Sequence, residues 1–132
     1  MVEDPRIRTA REEGEAVMIF TPDVPISQFE RLDPRLQALL LWFDRHSALH
    51  YGHDITVTSL IRPRTTDSGV HEAGRGADVR SHDFSGVELA QLTAFINKSF
   101  PYPRGLKTMI VHDTGKGVHI HLQVPWEGEI VV

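Results

Sequence analysis

The chain contains no cysteine. Its fold therefore needs no disulfide and no oxidising compartment, and a zinc site in it would have to be built from histidine and carboxylate donors. Long hydrophobic runs are missing as well. The longest, Ala38 to Phe43, falls far short of the about 20 residues needed to span a bilayer. The first residues, MVEDPRIRTAREEGEAV, are charged and lack an apolar centre, so no secretory signal is expected. A protein of this kind that works beyond a membrane would have to be carried or released there. No block of like charge forms a tail. Lysine and arginine are scattered and the net charge is −4, which argues against a nucleic-acid partner and offers a strongly acidic ligand no evident welcome. Repeats, linkers and low-complexity segments are absent too.

What is present is a chain of 132 residues with 40% hydrophobic and 24% charged residues, the profile of one soluble globular domain able to bury a core. Residues 1–15 read as a polar N-terminal arm and 16–132 as the single domain. Ala16–Phe20 is a short strand candidate, closed by Thr21-Pro22 and Pro25. Asp33-Pro34 supplies an N-cap with proline at the first helical position, and the helix it opens runs to Tyr51, with Gly52 as the stop. Leu36, Leu39, Leu40 and Phe43 form the buried stripe of that helix.

Ile55–Leu60 is β-branched and alternating, hence a strand. Residues 61–75 carry loop chemistry, and Gly76–Arg80 is a short strand. Ser85-Gly-Val-Glu88 is a capping box that opens a helix to about Lys98. Thr108–His112 and Val118–Val124 are strands flanking Asp113-Thr-Gly-Lys-Gly117, a hairpin. The expected architecture is α+β, with a small antiparallel sheet and two main helices.

Eight histidines are the unusual feature, and their placement is what matters. Three pieces stand out: His71-Glu-Ala-Gly74-Arg-Gly-Ala77-Asp78, then His112-Asp113, then His119-Ile-His121. Catalytic zinc takes a few neutral imidazoles and carboxylates and keeps one position open. Two ligands on a glycine-containing turn and one on a distant strand would meet that need. His119 and His121, two apart on a strand, project from the same face. A bare His-x(6)-Asp or His-x-His pair is weak in a chain with this many histidines and aspartates. Gly74 and Ala77 add detail, since small residues must let a turn close onto a strand there. A rival set, His46 and His50 four apart on the first helix with His53 beyond its end, has Ser47 in place of the glutamate of His-Glu-x-x-His.

His71, Gly74, Ala77, Asp78 and the His119-Ile-His121 pair together resemble the family of D-Ala-D-Ala carboxypeptidases, L-Ala-D-Glu endopeptidases and murein endopeptidases, whose metal fold is shared with the Hedgehog signalling domain. Ser59-Leu-Ile-Arg62 looks like the arginine-bearing segment that follows the preceding strand in that family. The resemblance spans residues 55 to 124 and is nearest to compact phage-type members. It implies a Hedgehog/D-Ala-D-Ala-peptidase-like fold, a zinc cofactor on His71, Asp78 and His121, and peptidoglycan stem peptides as substrate. It also suggests a phage particle or holin-type system for delivery to the cell wall.

Two positions depart from the family pattern. Gly69 stands two before the first ligand, where the family has serine, with Ser68 one step earlier. Val118 stands three before the last ligand, where many relatives carry an acid. The proton carrier is therefore expected to be Asp113 or His119, with Arg62 as a cation that stabilises the oxyanion or binds a substrate carboxylate bidentately. For Asp113 the competing role is the turn residue of the hairpin. The competing function is a zinc-stabilised binding or structural module, such as a phage tail or virion component, that keeps the site without turnover.

Overall fold

A computed structural model describes residues 18–62, 70–113, 115 and 117–126. In chain order these form β1 (Ile19–Phe20), α1 (Ser27–Glu30), α2 (Pro34–Tyr51), β2 (Thr56–Ser59), β3 (Gly76–Arg80), α3 (Gly86–Ser99), β4 (Met109–Asp113) and β5 (Val118–Gln123). A single turn of 3-10 helix, Pro103–Gly105, precedes β4. The architecture is α+β, as expected, and the expected 1–15 arm lies outside the described residues.

Local chemistry accounts for the helices. The Asp33 carboxylate accepts the Arg35 N–H at 2.9 Å, with Pro34 at the first position of α2. At the other end Gly52 takes φ 71° while the Gly52 and His53 N–H groups close onto Ala48 and Ser47. Only glycine adopts that left-handed stop without penalty. Ser85 and Glu88 form the reciprocal capping box of α3.

The five strands run in the order β1-β2-β3-β5-β4. Strands β2 to β5 pair antiparallel, but β1 lies parallel to β2. The purely antiparallel expectation is therefore corrected to a mixed sheet. The reason is the connection: the chain travels through α1 and α2 between β1 and β2, a crossover that returns the next strand in the same direction. Bonds from the Ile19 N–H to the Ile55 carbonyl and from Thr21 to Val57 fix the pairing. The short α1, which precedes α2, is a helix additional to the two main ones expected.

Side-chain alternation gives the sheet one covered and one open face. Val57, Ala77, Val79, Ile120, Leu122 and Met109 are buried in one core with Leu36, Leu40 and Phe43 of α2 and Leu92 and Ile96 of α3. The register sets the opposite face. Asp78 pairs with His121, Arg80 and His112 each pair with His119, and Gly76 pairs with Gln123. Paired residues project to the same side, so the alternation that fills the core gathers the polar residues on the open face. No helix among the described residues is long and apolar enough to cross a membrane.

Candidate metal centre

The open face forms the floor of a cleft of about 1230 Å³. His71, Asp78 and His121 meet there, and all three are buried. Asp78 is placed by β3 and His121 by β5, directly across from it. His71 sits in the tight turn that leads into β3, closed by hydrogen bonds from Gly74 to the His71 carbonyl and from Arg75 to the Val70 carbonyl. Gly74 has φ 71°, and a side chain there would begin 3.3 Å from the Arg31 carbonyl oxygen. Gly76 matters more directly, since a Cβ would lie 2.7 Å from Val70 Cγ2 and 3.3 Å from His121 Cε1. Ala77, named with Gly74 from the sequence, points into the core.

The donor atoms converge on one point. His71 Nε2 lies 3.3 Å from Asp78 Oδ1 and His121 Nδ1 lies 3.0 Å from the same oxygen. One ligand atom from each residue falls within 4.8 Å of the others, and among the described residues this trio is the one group so arranged. Zinc bonds of 2.0–2.2 Å in a tetrahedron separate neighbouring ligand atoms by roughly 3.4 Å, close to the two contacts found.

A backbone carbonyl only accepts, so the 2.8 Å contact between His71 Nδ1 and the Leu60 carbonyl places a proton on Nδ1. In a neutral ring that leaves a lone pair on Nε2, an atom that is buried and has no hydrogen-bond partner. Its 3.3 Å approach to Asp78 lacks the alignment of a hydrogen bond. A buried lone pair facing a carboxylate oxygen is an arrangement that a bound cation satisfies. The residues therefore fit a metal ion.

No family model, curated protein or solved structure matches the chain.

Burial opposes the charge on Asp78, yet the neighbouring His121 and then His71 rings outweigh it and hold the carboxyl far below its usual range. Its other oxygen, Oδ2, accepts from Arg62 Nη1 at 3.0 Å, and the same nitrogen donates to Ser59 Oγ at 2.8 Å. Arg62, expected from the sequence as a cation for an oxyanion or a substrate carboxylate, is thus beside the cluster and holds the Asp78 carboxylate. His119 also belongs to the neighbourhood, with Nε2 3.7 Å from Asp78 Oδ1 and its side chain partly open to the cleft. His112 packs against it, ring centroids 4.6 Å apart. Burial, followed by the nearby His119 and His121, pushes the His112 ring below its usual pKa.

Asp113 is placed differently. Its Oδ1 accepts the N–H groups of Gly115 and Gly117 at 2.8 and 3.1 Å, capping the hairpin turn, and Asp113 is not among the residues lining the cleft. Of the rival histidines, His46 and His50 lie side by side, ring centroids 4.3 Å apart, but among the described residues the three form no donor cluster. His46 stacks on Trp42 and on Phe95, with His50 beside it, while His53 meets Glu88 Oε1 at 3.1 Å.

The sequence assigned no role at the site to Ser59, the Leu60 carbonyl, Gly76 or Gln123. Among the described residues, Arg62, Arg75, Arg80 and Arg104, scattered along the chain, all line the cleft, against the acids Asp23 and Asp78. The fold collects positive charge that the composition hides.

Proposed function

We propose that the chain is a zinc metallopeptidase that hydrolyses peptide bonds in peptidoglycan stem peptides, with a Hedgehog/D-Ala-D-Ala-peptidase-like fold. The observation that carries this reading is the convergence of three buried donors, two of them histidine nitrogens, at the floor of an open cleft. Three protein ligands with room for a fourth is the pattern of a catalytic zinc site, whereas structural sites close with four. A zinc ion bound there supplies Lewis acidity toward a scissile carbonyl and toward water.

The chain's own groups divide the remaining work. Arg62 and Ser59 steady Asp78, keeping Oδ1 aimed at the cluster. His119, on the open face beside the donors, takes a proton from attacking water and returns it to the leaving amine. Asp113 keeps the hairpin turn that sets His119 across from His112. Arg80 and Arg104 add positive charge along the cleft, which favours a peptide that carries carboxylates, as stem peptides do.

The test uses purified, zinc-loaded protein and isolated peptidoglycan. Amide cleavage releases soluble peptides with new amino termini and no new sugar reducing ends. No release from sacculi of several wall chemotypes, together with no cleavage of D-Ala-D-Ala or L-Ala-D-Glu peptides, would refute the enzyme. One observation favours the second reading, a zinc-stabilised module without turnover: Val118, where many members of the proposed family carry an acid, is an exposed side chain at the rim of the cleft.

A further inference from the structure

A neutral imidazole can bind a cation only through its bare nitrogen, and the partner of the other nitrogen decides which one is bare. For His71 that partner is backbone, the Leu60 carbonyl. For His121 it is a side chain. Gln123 follows two residues later on β5, on the same face of the sheet, and is buried. One end of its amide lies 3.0 Å from His121 Nε2 and the other 2.8 Å from the Lys107 carbonyl.

The Lys107 carbonyl only accepts, so the amide nitrogen must face it and the amide oxygen must face the ring. That oxygen in turn only accepts, so the proton of His121 belongs on Nε2. Nδ1 is then bare and directed at Asp78 Oδ1, 3.0 Å away. The Gln123 N–H bonds the Thr108 carbonyl at 2.9 Å, so the segment carrying Lys107 is held in register with β5.

We infer that Gln123 is a positioning residue that locks His121 in the tautomer able to ligate through Nδ1, while the Leu60 carbonyl locks His71 in the opposite tautomer for ligation through Nε2. The inference rests on the metal-centre reading and adds to it a specific coordination mode and an outer partner on which affinity depends. Outer partners of this kind change metal affinity by about 10- to 100-fold when removed.

Two measurements test it, neither of them activity. Long-range proton–nitrogen NMR correlations of the histidine rings in the zinc-loaded wild type should show His121 protonated on Nε2 and His71 on Nδ1. Competition against a chromophoric chelator should show zinc dissociation about 10- to 100-fold weaker in Gln123→Leu, which keeps side-chain bulk and removes the acceptor. Gln123→Glu, which restores an oxygen acceptor, should recover binding. A His121 proton on Nδ1, or equal zinc affinity in wild type and Gln123→Leu, overturns the inference while leaving the metal centre intact. A wild-type protein that takes up no zinc removes the centre and the inference together. Because the tautomers are read in the wild type, the test holds even if the leucine variant does not fold.

Discussion

Gly76→Ala is the smallest change that reaches the metal centre without touching a ligand. The new methyl carbon would lie 2.7 Å from Val70 Cγ2 and 3.3 Å from His121 Cε1. Carbon atoms rest at about 3.5–4.0 Å, so the first contact is short by roughly 1 Å. Val70 is itself buried and adjoins His71, so relief must move either the turn that carries one ligand or the ring that is another. Overpacking of this kind costs about 1–3 kcal/mol, and a displaced ligand adds a loss of metal affinity.

The two effects separate in a melting experiment. With zinc at 100 times its dissociation constant, binding stabilises the wild type by about 2.7 kcal/mol. At roughly 3 °C per kcal/mol for a domain of this size, zinc should raise Tm by about 8 °C. If Gly76→Ala weakens zinc 10- to 100-fold, the same zinc concentration stabilises by only about 1.4 to 0.4 kcal/mol, or roughly 4 to 1 °C. The assay is differential scanning calorimetry with and without zinc. A variant whose metal-free Tm falls but whose zinc increment stays at the wild-type value would show that Gly76 serves packing alone, and would refute the argument that its missing side chain makes room for His121.

Further outcomes concern the ligands and their neighbours. Elemental analysis should find zinc lost from His71→Ala, Asp78→Ala and His121→Ala and retained in His46→Ala and His50→Ala; the reverse pattern would move the site to α2. His119→Ala should keep zinc and slow stem-peptide hydrolysis by about 10²–10⁴, the usual worth of a general acid or base, whereas Asp113→Asn, still able to accept at the turn, should hydrolyse near the wild-type rate. Burial, and secondarily His50, depresses the His46 pKa below 6.5. The unfolded chain then binds the proton more readily, so this contribution to stability is complete above about pH 6.5 and is lost as pH falls toward the folded value. Melting curves of metal-free protein from pH 7 to 5 should accordingly fall less steeply in His46→Gln than in the wild type, and equal slopes would dismiss the assignment.

Much of the fold was legible because its boundaries are written in local chemistry. Asp33-Pro34 and Gly52 bound α2, the Ser85–Glu88 box opens α3, and Gly76–Arg80 falls at its expected limits, since each signal acts within a few residues of itself. The parallel β1 was not legible in the same way. A two-residue strand carries no alternation to read, and its direction depends on where the chain returns after α1 and α2, a tertiary matter. The gathering of Arg62, Arg75, Arg80 and Arg104 at one cleft is likewise invisible in a scattered charge pattern, because it depends on strand order rather than on spacing.

The metal-competent trio could be anticipated from residue types and spacing, but the partners that orient it were half hidden. The Leu60 carbonyl has no sequence signature, whereas Gln123 does. Once His121 is placed on the open face of a strand, period-two geometry puts both His119 and Gln123 beside it, and a buried amide two residues from a ligand is a natural outer partner. The same parity bears on the choice between Asp113 and His119. The hairpin pairs Asp113 with Val118 and His112 with His119, so His112 shares the open face with the two strand histidines. Asp113, one residue on, has the parity of Val111, whose side chain packs against the core. Its position past the end of the core leaves the carboxylate free to cap the turn, and bonds to Gly115 and Gly117 use it there. A proton carrier drawn from this hairpin therefore has to come from the histidine parity, and the 3.7 Å approach of His119 Nε2 to Asp78 Oδ1 makes His119 the residue on which turnover should depend.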